Sequence, residues 1–252
     1  MSDLRSARQI ALPSVSYGPF RHIGAVPWLI LAAWMRVLAF AGGLIAVPAI
    51  VIADVSLLMA FVTVTWRMVM ASHGRTGLGQ LGLPAKLKMA RSVLLPVFGL
   101  LVMAAIVAAG SGLFARPQEF ILGFDGIAFD QRTHPGRVWS AFVAAVVLMM
   151  VLQVDENAKP SLPRAIKEIG RHALWLVPGI LLAAAVSILL HPIQGWFREL
   201  IVDAWFKKGA PQDLKIVLFF SYVLIFATIR LWLTVAILVF ALRQSYRTRM
   251  SA

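Results

Sequence analysis

The chain has 252 residues, of which 60% are hydrophobic by the broad count and 14% charged, with a net charge of +13 and no cysteine. A soluble domain carries about 25% charged residues, so this chain has too little polar surface to cover itself in water. The absence of Cys excludes disulfides, thiolate metal sites and thiol nucleophiles.

Residues 1–22 form a polar N-terminal tail with Arg5, Arg8 and Arg21. They lack the basic, apolar and small-residue pattern of a cleaved secretory signal, so the first apolar run is expected to stay as an anchor. Apolar runs near the roughly 20 residues that cross a hydrocarbon core of about 30 Å predict helices at 27–53, 55–71, 92–115, 138–154, 173–191 and 214–242. Residues 23–242 thus read as one transmembrane domain and 243–252 as a basic tail. The runs are continuously apolar and do not alternate, which excludes membrane-spanning strands. The expected fold is an all-α polytopic bundle of about six transmembrane helices with interfacial amphipathic helices beside it.

The connectors carry the remaining signals. Gly74, Gly77, Gly79 and Gly82 read as a flexible linker, because the spacing lacks the Lys-Ser/Thr of a phosphate-binding loop. Gly42, Gly43, Gly110 and Gly112 read as small residues at close helix contacts. In the loop from Arg116 to Arg137, two short apolar runs flank Asp125-Gly126, a candidate β-hairpin turn. The same loop holds Glu119, Asp125, Asp130 and His134, readable as a solvated surface or as an acid–base or metal cluster. Their spacing fits no metal motif, and neither metal nor cofactor is expected.

Leu162 to His172 reads as a short amphipathic helix resting on anionic headgroups. Further on, Ile193, Trp196, Phe197, Leu200, Ile201, Ala204 and Trp205 recur at three- and four-residue spacing opposite Gln194, Arg198, Glu199, Asp203 and Lys207. This predicts an interfacial helix bounded by Pro192 and by residues 209–211. His172 and His191 stand at opposite ends of the fifth predicted helix, too far apart to share one ligand.

Basic residues next to a span resist translocation. Fifteen Lys and Arg fall on the side of the two termini and six on the other, which places both termini in the cytoplasm. Trp28, Trp66, Trp139 and Trp175 fall near predicted helix ends, where indole prefers the headgroup boundary. The absence of Cys fits a bacterial inner membrane, and the high ratio of Arg to Lys hints at a GC-rich bacterial source. The basic residues lie between apolar runs and form no single aromatic-lined stripe, so nucleic acid is not an expected partner.

Two arginines fall deep inside predicted spans, away from their ends. Arg230 lies near the centre of the last run, where an arginine costs about 2.5 to 3.5 kcal/mol or more and needs a cavity, a counter-charge or backbone carbonyls. Arg36 either snorkels to the interface or reaches the same depth from the antiparallel first helix. Together they would need an anion, for which Asp54, expected at the outer end of the first helix, is a candidate. Arg36 and Arg230 are therefore candidates for an anion- or lipid-binding cleft.

A displacement of 80 residues aligns Ala85, Arg91, Leu94 and Gly99 with Ala165, Arg171, Leu174 and Gly179, a candidate parallel repeat. Trp66-Arg67 at the end of the second helix, the basic linker after it, and the stretch from Ala165 to Trp175 share a layout. In that layout the chain resembles uncharacterised six-helix proteins of alphaproteobacteria, similar to the membrane domain of some glycerophosphodiester phosphodiesterases. The resemblance implies no catalytic residues. With no nucleophile or metal set legible, the expected role is a non-enzymatic subunit or organiser of a membrane assembly, with membrane lipids and protein subunits as partners. The alternative is a small transporter or lipid-handling protein.

Overall fold

A computed structural model describes residues 23–72, 76–156, 158–208 and 211–250; the N-terminal tail lies outside them. The described residues form seven α-helices: α1 (Val26–Phe40), α2 (Ala46–Ala71), α3 (Leu83–Ser111), α4 (His134–Asp155), α5 (Leu162–Arg171), α6 (Ala173–Lys208) and α7 (Gln212–Met250). Among the described residues there is no strand, and five helices are long and apolar enough to cross a membrane. The protein is a multi-pass membrane bundle. Prolines in the first turns open α1, α3, α4 and α5, where the missing N–H would have no partner in any case.

Several predicted boundaries shift. The first predicted break, at Asp54, is wrong: α1 ends at Phe40, and Gly42 and Gly43 reverse the chain with φ of 80° and 75°. Those angles are open to glycine and strained for other residues, so this pair makes a turn and not a helix contact. The turn is greasy, with Phe40, Leu44 and Ile45 all exposed. Position 24, at the other end of α1, lies against Thr63 and Arg67 in the last turns of α2. The two helices are therefore an antiparallel hairpin, α1 being only about 22 Å long at 1.5 Å per residue. Gly112 ends α3 at a φ of 65°.

The outer amphipathic segment is not a separate helix. α6 runs without interruption through Pro178 and Pro192 to Lys208, so Pro192 removes one backbone donor but does not stop the helix. Ile193, Trp196, Phe197 and Leu200 are exposed, Ile201 is half-buried and Trp205 is buried; the side chain of Ala204 lies outside the description. α5 does form as a separate helix, burying Ala165 and Ile169. The 80-residue alignment matches element order, but its first copy is continuous in α3 whereas the second is split between α5 and α6. The glycine linker is tied down at Gly79, where the Trp66 ring leaves no room for a side chain.

The candidate hairpin is likewise not formed. Residues Pro117–Gly123 and Asp125–Ile127 make short 3-10 turns that bury Phe124, Ile127 and Ala128 against the bundle. Gly126 lacks the positive φ of a tight hairpin turn. It is glycine because its backbone presses on α4: a Cβ there would collide with Ser140 Oγ and sit 2.6 Å from Gln131 Cγ. Gly126→Ala is thus expected to cost about 1 to 3 kcal/mol through overpacking, read as a lower melting temperature in detergent. Gly110→Ala is the control, since a Cβ at Gly110 meets nothing within 4 Å.

Candidate functional site: a buried charge belt

Residues 116–133 lie over one end of the bundle, called here the loop end; the opposite, basic end carries Arg67, Arg164, Arg171, Arg243 and Arg247. Val69, Leu152 and Leu242 line one cavity at the basic end and so share a level. Fifteen residues along each helix toward the loop end, about 22 Å at 1.5 Å per residue, stand Asp54, Arg137 and Ala227. The last of these is less than one turn from Arg230. The intramembrane charges therefore occupy one layer.

Aromatic packing positions the loop over that layer. Trp139 of α4 donates its indole N–H to the Phe120 carbonyl at 2.9 Å, and its ring packs on Phe120 and Phe142. Gln131 Nε2 donates to the Leu122 carbonyl at 2.6 Å. Asp125 and Asp130 are thereby delivered to different arginines.

Arg36 donates through Nε to Asp125 Oδ2 at 3.0 Å and through Nη2 to Asp125 Oδ1, a two-point carboxylate contact. Its Nη1 caps the Ala32 carbonyl at 3.1 Å, Asp54 stands 3.7 Å away, and the guanidinium lies 4.4 Å over the Phe129 ring. Asp54 is thus not at the outer end of the first helix but inside α2, facing Arg36.

Arg230 is 2% exposed. It donates to Asp130 Oδ1 at 2.8 Å, Ser187 Oγ at 3.0 Å and Gln194 Oε1 at 2.8 Å. Asp130 is shared: Arg137 Nε lies 3.5 Å from Oδ1 and His191 Nδ1 lies 2.5 Å from Oδ2. Arg137 is 1% exposed and reaches His134 Nδ1 at 3.1 Å, while its Nε and Nη2 make no hydrogen bond.

No family model, curated protein or solved structure matches this chain. The two arginines singled out by sequence each have their own aspartate from the loop. The expectation that Arg36 and Arg230 need an outside anion in a shared cleft gives way, because Asp125 and Asp130 supply the charge from the loop end. Among the described residues Arg230 bonds side chains and not backbone carbonyls.

The four polar loop residues do not converge. Glu119 accepts from Thr133 N and Oγ1 at 3.1 and 2.6 Å, bracing the N-cap of α4, and lies 3.8 Å from Arg116. His134 serves Arg137, and the two aspartates serve the arginines. No group of three His, Asp or Glu suited to a metal occurs among the described residues. His172 is buried at the basic end, bonded to Ser245 Oγ at 2.8 Å and packed on Tyr246, so it ties the start of α6 to the end of α7. Arg137 was legible only as one of the charges flanking a span. Its spacing of three from His134 is the local signal of the pair, and nothing local marks its link to Asp130.

Proposed function

We propose that the chain is a non-enzymatic protein of a bacterial inner membrane that crosses it six times, both termini in the cytoplasm, and serves as a subunit or organiser of a larger assembly. The observation that carries this reading is an arm formed by α6 and α7. Gln194 stands level with Arg230 in the charge belt, and α6 continues 14 residues beyond it to Lys208, about 21 Å further. The antiparallel α7 accompanies it. Trp196, Phe197 and Leu200 on α6, with Ile216, Val217 and Phe219 on α7, expose apolar surface along this arm. Added to the roughly 22 Å between the belt and the basic end, the arm's reach exceeds a hydrocarbon core of about 30 Å, which favours a protein partner over lipid. The excess of Lys and Arg at the basic end supports placing that end in the cytoplasm, and the α1–α2 hairpin supports a short sixth crossing.

The test is gentle-detergent purification of the full chain followed by cross-linking. A stoichiometric partner cross-linked to the arm is expected, and Leu200→Glu with Val217→Glu should abolish its recovery without changing the melting temperature. A monodisperse particle with no protein partner would overturn the reading. A lipid-handling role is the second reading. It is favoured by the amphiphilic cavity at the basic end and no longer by Arg36 and Arg230, whose charges are met internally.

A further inference from the structure

The ends of α2, α4 and α7 and one face of α5 enclose a cavity of about 660 Å³ at the basic end. That volume lies within the range of ordinary small-molecule sites, roughly 300 to 1,000 Å³. Its floor is apolar, built from Val69, Met149, Leu152, Val239 and Leu242, and its rim is charged. The rim's carboxylates are already engaged. Asp155 accepts from the Gly77 N–H at 2.7 Å, Glu156 faces Arg164 at 3.5 Å, and Glu168 is held by Arg171 at 2.9 Å.

The unused hydrogen-bonding capacity is of the donor type. Arg243 lines the cavity, is half-buried, and has no ion-pair or hydrogen-bond partner among the described residues. Gln153 is 4% exposed; its Oε1 accepts from Ser161 N at 2.8 Å, which fixes the amide orientation, and its Nε2 has no acceptor. With Arg171 included, four guanidiniums meet three carboxylates around the cavity. A free guanidinium and a free amide N–H above an apolar floor call for an acceptor-rich anion joined to an apolar body.

We infer that this cavity binds the phosphate headgroup of an anionic phospholipid, the phosphate on Arg243 and Gln153 and the glycerol and upper acyl carbons on the apolar floor. The site stands whether or not the arm carries a protein partner. A water-soluble phosphate ester offers the same phosphate without the apolar body, and the experiment separates the two.

Full-length protein in mild detergent is titrated with dioleoyl phosphatidylglycerol, dioleoyl phosphatidylethanolamine and glycerol 3-phosphate, with native mass spectrometry reading retention. Phosphatidylglycerol is expected to be held in preference to the other two, and Arg243→Gln to lower its retention about tenfold or more, the effect of losing a charged hydrogen bond. Val69→Trp, which places an indole on the apolar floor where the acyl carbons would lie and leaves every charge in place, should lower it similarly. It keeps the test decisive if Arg243→Gln fails to fold. Equal retention by wild type and by a folded variant of either kind would overturn the assignment. Glycerol 3-phosphate bound as tightly as the lipid would also overturn it, as would preference for phosphatidylethanolamine, whose ammonium would have to displace the rim's own ion pairs.

Discussion

Asp130→Ala is expected to destabilise the protein by about 3 to 5 kcal/mol, the cost of removing one partner from a buried ion pair and leaving the other charged. Asp130 is the sole carboxylate paired with either Arg230 or Arg137 among the described residues, and those arginines are 2% and 1% exposed. Neither can reach water without opening the bundle. In the double variant Asp130→Ala/Arg230→Met, the unpaired charge at Arg230 is gone and an apolar side chain fills much of its volume. Recovery of part of the loss is expected, with the remainder due to Arg137. Thermal melting of the purified variants in one detergent measures both. A single variant that melts like the wild type would show that water or lipid headgroups reach Arg230 and that Asp130 does not hold it.

The pairing behind that prediction could not be read locally. Arg230 and Asp130 are 100 residues apart and Arg36 and Asp125 are 89 apart. A single sequence shows that a buried arginine needs a counter-charge, but not which loop folds back to provide it. The need was legible because insertion cost depends on position in an apolar run, a property of the run itself. The same holds for the existence of the long helices, each a stretch of hydrocarbon length with little to interrupt it.

Boundaries were less legible because the usual punctuation does not hold within this bundle. Asp54 reads as the polar break between two spans, yet it sits inside α2, where Arg36 meets it. The true turn, at Gly42-Gly43, lies within an unbroken apolar run, and only its glycines mark it. Pro192 reads as a helix stop, but α6 continues through it, and Tyr222 and Arg230 of α7 bond Gln194 in the turn that follows. Asp125-Gly126 reads as a hairpin turn, although the glycine is there for contact with α4. At Asp54 and at Gly126 a tertiary partner overrode a local rule.

The second large effect is expected at Arg36. Arg36→Met removes the only cation recorded between Asp54 and Asp125 among the described residues, so two carboxylates are left facing each other at membrane depth. The cost should be about 3 kcal/mol or more, since an unpartnered charge there is both desolvated and repelled. Asp54→Asn should change stability by less than about 1 kcal/mol, because Arg36 keeps its two-point contact with Asp125 and the 3.7 Å contact to Asp54 is the weaker one. The contrast identifies Asp125 as the anchor that holds the loop to the hairpin of α1 and α2. Its independent readout is limited trypsin digestion: Arg132 closes the packed segment, its side chain reaches the surface, and the residue after it is Thr133, which trypsin accepts. Arg36→Met should accelerate cleavage after Arg132 while cleavage elsewhere is unchanged, whereas Asp54→Asn should leave the rate at the wild-type value. Equal cleavage in all three proteins would mean that the aromatic contacts of Trp139 hold the loop unaided and that the Arg36 pair contributes only charge balance.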